Sequence, residues 1–409
     1  MNVRLFSVLM IGLVCFSFIS CNENDEPNSD PASGSEVEMR SISLTDGELS
    51  VAKQNNSFAW NMFDHAIAQS GNTIISPLSA SFALCMTGNG ANGDTRNEIY
   101  QALGFENCNN AEVNSYMQKL SSQLISLDPK ATMAIANSLW YNKSFGILDS
   151  YISSLKTNYS ADVMPLDATN AASQINNWCS NKTNGYITDI IKPSDITNLT
   201  AIVLANALYF NGEWKDKLDI NNTYKDNFYS WDNKTSKVDF MTGMKNVEQV
   251  SAETFRMASL YFGNSSFLAR FILPNKDKTF NDCINEIQTI GWDEITRSGL
   301  TCELNVKIPK FSLQNRLDMK PIYQQMGIET AFSNLADFSN MTTNDLAISS
   351  AIQCNYFKID ENGATAASVS IITGDSMADL PFILNRPFIF ALTERSTGAI
   401  LFLGKIEKL

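Results

Sequence analysis

Residues Ala201 to Phe210 read Ala-Ile-Val-Leu-Ala-Asn-Ala-Leu-Tyr-Phe, and this run constrains the fold more than any other. A half-buried strand alternates polar and apolar residues, and an amphipathic helix returns to its apolar face every third or fourth residue. A short run this uniformly apolar marks a strand covered on both faces. The chain therefore needs helices to lay against a sheet, and its first third supplies them. Glu48 to Gln69 carries Val51, Phe58, Met62 and Ile67 at helical steps. Ile74 to Ser79 is a short apolar strand stopping at Pro77, and the helix after it runs through Ala80, Phe82, Ala83, Leu84 and Met86, with Ser79 placed to cap it. Gly88 to Gly93 breaks that helix, and Asp94 and Thr95 start another through Ile99 and Leu103. Val113, Met117, Leu120, Leu124 and Leu127 define one more helical face.

Strands dominate thereafter. Met133 to Tyr141 alternates, and helical stretches through Tyr151–Leu155 and Ile175–Trp178 separate it from the apolar run. Lys237 to Met244, Phe255 to Phe262, Phe267 to Leu273, Leu304 to Leu313 and Phe388 to Ile406 complete a strand-rich second half. Helices first, strands mostly later and no repeat predict a single α+β domain over residues 46–409.

The amino-terminal segment is not part of that domain. Arg4 precedes an apolar run from Leu5 to Ile19 that is too short to span a bilayer. The run ends at Ser20-Cys21 and turns abruptly to Asn22-Glu23-Asn24-Asp25-Glu26. An apolar core, a small residue and then Cys resembles the lipobox of a bacterial lipoprotein. That resemblance implies a signal peptide over 1–20, a lipid on Cys21 and a flexible tether over 21–45. The acidic run resembles a surface-export signal, so the expected location is the outer membrane, facing the exterior. A secretory signal with an incidental Cys is the alternative.

Composition excludes several functions. A net charge of −13 disfavours nucleic acid and other polyanions as partners. Cys85, Cys108, Cys179, Cys283, Cys302 and Cys354 are widely spaced, with no CxxC pair. Disulfides remain open on parity alone, and no cluster of metal-ligand spacing exists, so neither metal nor cofactor is expected. His65 is the sole histidine, and no GxSxG elbow accompanies it. A Ser-His-Asp or Cys-His enzyme would need His65 as its base, so hydrolase activity is disfavoured and the chain reads as a non-enzyme.

One stretch carries the functional signal. After the turn Asp360-Glu361-Asn362-Gly363 comes Ala364-Thr365-Ala366-Ala367-Ser368-Val369-Ser370, then Ile371-Ile372 and an open segment to Asp379. An apolar strand from Phe382 to Leu392 closes it. One face of the small-residue run is Ala364, Ala366, Ser368 and Ser370, which would let a strand slide between two others without steric penalty. The same composition also suits an exposed linker.

Five ordered blocks decide between these readings. Asn72 to Ser79 with Ala83–Met86 and Gly90–Thr95, Asn206 to Trp214, Ile308-Pro309-Lys310-Phe311, Met326-Gly327-Ile328 with Ala331-Phe332, and Phe382 to Leu392 resemble, in order, the signature blocks of the serpins. The resemblance covers about residues 46–409. It implies helices packed on a large central mixed β-sheet, further smaller sheets and an exposed reactive-centre loop.

It also implies a mechanism, suicide inhibition. A target protease cleaves the loop, and the hinge inserts as a new central strand and distorts the acyl-enzyme before water completes the reaction. Gly363 then serves as pivot, with Ala364, Ala366, Ser368 and Ser370 facing inward; Ala364, Thr365 and Asn362 depart from the commoner residues there. Glu361 should pair with Lys310 beside Trp214. Ser76, Ser79 and Asn206 match the polar cluster where the sheet parts, and Gln353 stands where many members carry His. Counting from Gly363 places the cleaved bond at Met377-Ala378; counting back from Asn385-Arg386-Pro387-Phe388 places it at Ser376-Met377. Met377 suits the primary pocket of an elastase- or chymotrypsin-like serine protease, the expected partner of a monomeric inhibitor. A papain-like target, or a non-inhibitory serpin acting as a surface binding protein, is the alternative.

Overall fold

The computed structural model describes residues 38–68, 71–166, 170–196, 200–363 and 380–409. The helices are α1 (Asp46–Ala66), α2 (Pro77–Gly90), α3 (Gly93–Leu103), α4 (Asn110–Gln123), α5 (Asp149–Tyr159), α6 (Ala171–Lys182), α7 (Phe280–Ile290), α8 (Trp292–Arg297) and α9 (Lys320–Gln325). The strands of the first half are β1 (Thr73–Ile75), β2 (Ala131–Tyr141), β3 (Asp162–Pro165) and β4 (Ile202–Gly212). Next come β5 (Tyr224–Tyr229), β6 (Thr235–Ser251), β7 (Phe255–Tyr261), β8 (Phe267–Pro274), β9 (Leu300–Pro309) and β10 (Phe311–Asp318). Last are β11 (Ile352–Ile359), β12 (Phe382–Ile383), β13 (Phe388–Glu394) and β14 (Ile400–Ile406).

One extended sheet runs β1-β14-β13-β8-β7-β6-β9-β12, with β5 also paired to β6. Every residue of β8, β13 and β14 is buried, which explains their mostly apolar sequences; the buried exceptions Arg270, Thr393, Glu394 and Lys405 are hydrogen-bonded. The strands of the central sheet fall in two groups. β4 pairs antiparallel with β2, which pairs parallel with β3. β10 pairs antiparallel with β11 over Phe311–Asp318. The inner faces of both groups join the main core with α1, α2 and α4, and their outer faces contribute to a smaller cluster beneath α6 that holds Trp140, Ile175, Trp178 and Cys179.

Several boundaries differ from the sequence reading, each for a local reason. α2 begins earlier: Ser76, not Ser79, is the N-cap, because Pro77 at the first helical position needs no amide partner and the Ser76 hydroxyl accepts from Ser79 N–H. The expected strand Leu304–Leu313 is two strands of different sheets. Pro309 lacks an N–H, and Lys310 N–H donates instead to Asp239 O at 2.8 Å as the chain turns into β10. The expected strand Phe382–Leu392 likewise breaks at Asn385-Arg386-Pro387 into β12 and β13. The six described cysteines are free thiols, so the disulfide possibility is not realised. Burial pushes the Cys179 and Cys283 thiols up to about 12, which leaves them inert.

Candidate functional site

β4 and β11 face each other across a seam. Each is hydrogen-bonded on one edge only, β4 to β2 and β11 to β10. Among the described residues no ladder joins the two, so two strand edges with free backbone groups lie side by side. Toward the Ile202 and Ile352 ends the seam widens into a cavity of about 360 Å³, lined by Ala80, Ala83, Leu204, Asn206, Met319 and Tyr323 among others.

The amino-terminal end of α2 bridges the seam from below. On one side the Ser79 hydroxyl bonds Asn206 Oδ1 of β4, and Asn206 in turn bonds Asn137 of β2. On the other side Gln353 of β11 accepts from Ser76 N–H and donates to Ser76 O, both at 2.9 Å. The Ser76 hydroxyl donates to Leu401 O at 2.8 Å. Asn355 continues the network, donating to Ile74 O at 3.0 Å and to Asn315 Oδ1 of β10 at 3.1 Å. The structure thus brings Ser76, Ser79, Asn206 and Gln353 into one polar seam, buried except for a partly exposed Asn206. Sequence reasoning missed Asn137, Asn315 and Asn355; the available signal was an Asn facing inward on each of four strands.

A second cluster closes the other end. Trp214 stacks on Phe262 with centroids 4.4 Å apart, and its indole N–H donates to Asp360 O at 2.9 Å. Gly363 has a φ of +41°, and a Cβ there would sit 2.3 Å from Trp214 N, so only glycine fits against this backbone. The Lys310 ammonium lies 2.8 Å from Glu361 Oε2, and the Thr223 hydroxyl donates to Oε1 at 2.9 Å. Burial would raise the Glu361 carboxyl; the hydrogen bonds from Lys310, its own amide and Thr223 outweigh that and hold it below the usual carboxylate range. Thr223 carried no sequence signal.

Ala364, Ala366, Ser368, Ser370, Ser376, Met377, Ala378 and Cys21 lie outside the described residues. His65 sits in the last turn of α1, half-buried. No group of side chains suited to a metal ion occurs among the described residues.

An α+β fold whose central sheet is parted, with a glycine in a tight turn just past the end of one parted strand, defines a class of protein built around an unpaired seam. Residues 53–409 match the family model described as serpin (serine protease inhibitor). The chain belongs to the serpin family. It is 30% identical to the corticosteroid-binding globulin of Saimiri sciureus, over 87% of this chain and 90% of that one. Mouse antithrombin-III is also 30% identical, with 87% and 81% covered. The solved structure of a thermophilic serpin, tengpin, in its native state superposes with a TM-score of 0.81 at 26% identity, covering 91% and 98%. Many members of the family inhibit proteases, and some are non-inhibitory binders.

Proposed function

We propose that this protein inhibits serine endopeptidases, is cleaved in the segment following Gly363, and traps its target by inserting that segment as a strand between β4 and β11. One observation carries the reading. Gly363 N–H donates to Asp360 O at 3.1 Å, a turn with two central residues. A strand added antiparallel to β11 in that turn's register sets Ala364 opposite Ile359, Ala366 opposite Phe357, Ser368 opposite Asn355 and Ser370 opposite Gln353. Ile359 and Phe357 belong to the main apolar core, whereas Asn355 and Gln353 form the polar seam. The alanines therefore meet the apolar half of the inner face and the serines the polar half, as paired side chains on one sheet face require.

In this reading the chain is bait rather than catalyst. Met377, with an unbranched apolar side chain, directs it to elastase- or chymotrypsin-like proteases, and Cys21 carries a lipid that holds it at the outer membrane surface. Incubation with neutrophil elastase or chymotrypsin tests the inhibitory claim. A protease adduct that survives denaturing electrophoresis is the expected product. Clean cleavage without an adduct would leave a non-inhibitory serpin instead.

A further inference from the structure

We propose that Tyr186 is a clasp across the seam and sets how readily β4 and β11 part, an inference that rests on the insertion reading above. Tyr186 follows α6 in a turn fixed by hydrogen bonds. Its amide donates to Thr183 O at 3.0 Å, Gly185 N–H donates to Ser180 O at 2.8 Å, and Ile187 N–H donates to Thr183 Oγ1 at 3.1 Å. Gly185, with a φ of +80°, allows the reversal. From this anchored turn the Tyr186 ring stacks on Tyr209 of β4, with centroids 5.1 Å apart and planes 21° apart. It also stacks on Tyr356 of β11, at 5.2 Å and 30°. One ring is thus held between the aromatic side chains of two strands that no ladder joins among the described residues.

The spacing is informative. Neighbouring strands lie about 4.8 Å apart, so two strands flanking one absent strand are separated by two such steps. The closed seam is narrower, with Cα atoms of β4 and β11 within 8 Å of one another in places, and the Tyr186 ring lies across it. An added strand directs every second side chain to this outer face. Widening the seam for that strand carries Tyr209 and Tyr356 apart, so insertion has to pull Tyr186 from at least one of its stacks. With 44% of its surface exposed, Tyr186 adds little to the core, and its contacts span the seam instead.

The test uses the full chain. Uncleaved protein is held at mild heat, and the rate at which it becomes resistant to a later, denaturing temperature is measured. Tyr186→Ala is expected to convert about tenfold faster, the equivalent of about 1.4 kcal/mol, from the loss of two stacked contacts. Tyr186→Phe keeps both stacks and should convert at the wild-type rate. Adding Tyr209→Ala and Tyr356→Ala to Tyr186→Ala should accelerate conversion no further. Heat resistance of loop-cleaved protein should be equal in all variants, which a general loss of packing would not produce. A wild-type rate in Tyr186→Ala, or equal destabilisation of its cleaved form, would overturn the clasp while leaving insertion intact. Wild-type protein that gains no heat resistance on loop cleavage would overturn insertion, and the clasp with it.

Discussion

Replacing Lys310 with Met should loosen the hinge end of the seam while leaving its polar network in place. The Lys310 ammonium lies 2.8 and 3.0 Å from the two oxygens of Glu361, whose side chain is only 6% exposed, and Thr223 is the other side-chain donor to that carboxylate. Stripping a partner from a fully buried ion pair costs about 3–5 kcal/mol, because a desolvated charge is left behind. Lys310 is itself about one-third exposed, with a side chain 34% accessible, so solvent screens part of that loss and about 2 kcal/mol is the working figure. If the closed seam loses this amount and the inserted form does not, uncleaved protein should convert to a heat-resistant state up to ~30-fold faster. Scanning calorimetry should show the native transition lowered by a few degrees. A double-mutant cycle with Glu361→Gln isolates the pair, with a coupling of at least ~1 kcal/mol expected. Additive effects, or unchanged conversion in Lys310→Met, would refute the claim that this pair restrains the hinge.

Three further outcomes follow from particular contacts. Gly363→Ala forces a Cβ against the Trp214 backbone at a positive φ and should lower native stability by ~2 kcal/mol or more, read by urea titration. Glu48 lies in a buried network in which burial would raise its carboxyl, but hydrogen bonds from Lys119, Ser115 and Thr45 lower it to about 2. A carboxylate depressed in the folded state contributes stability above its unfolded pKa of about 4.3 and loses it as pH falls toward 2. Wild-type protein should therefore lose about 2–3 kcal/mol more than Glu48→Gln between pH 5 and pH 2, measured by melting at each pH. Gln353→His places a titratable side chain in the buried seam, where desolvation lowers an imidazole's pKa, so that variant should gain an acceleration of conversion below about pH 6 that wild-type protein lacks.

Much of this architecture was legible in the sequence, and the parts that were not share a cause. β4 declared itself through an apolar run, and α1 through the helical spacing of Val51, Phe58, Met62 and Ile67. β11 did not, because its inward residues Gln353 and Asn355 are polar: they satisfy the backbone of Ser76 and Ile74 instead of filling a core. Period-two alternation fails wherever a strand's inner face hydrogen-bonds to another element. The same residues make β11 one wall of the candidate site, so the strand hardest to read is the one the proposed function uses. The position of α2 was misjudged by one turn because Ser76 and Ser79 are both competent caps, and only the proline between them decides. Ser76 and Ser79 nonetheless meet, one bonded toward β11 and the other toward β4. Tyr186, Tyr209 and Tyr356 are far apart in the chain, and nothing in their local sequences joins them.

Insertion between β4 and β11 is most directly tested by hydrogen exchange on intact and loop-cleaved protein. A new strand of about a dozen residues adds on the order of ten backbone hydrogen bonds at ~1 kcal/mol each. Amides of Ile202–Gly212 and Ile352–Ile359 that lack a partner in the intact protein should become strongly protected after cleavage, and the melting temperature should rise sharply. Ala366→Arg places a long charged side chain on the inserting face, so the same cleavage in that variant should yield little protection and no adduct with the protease. Cleaved wild-type protein whose β4 and β11 amides exchange as fast as before, or an Ala366→Arg variant that traps protease as well as wild type, would contradict the account.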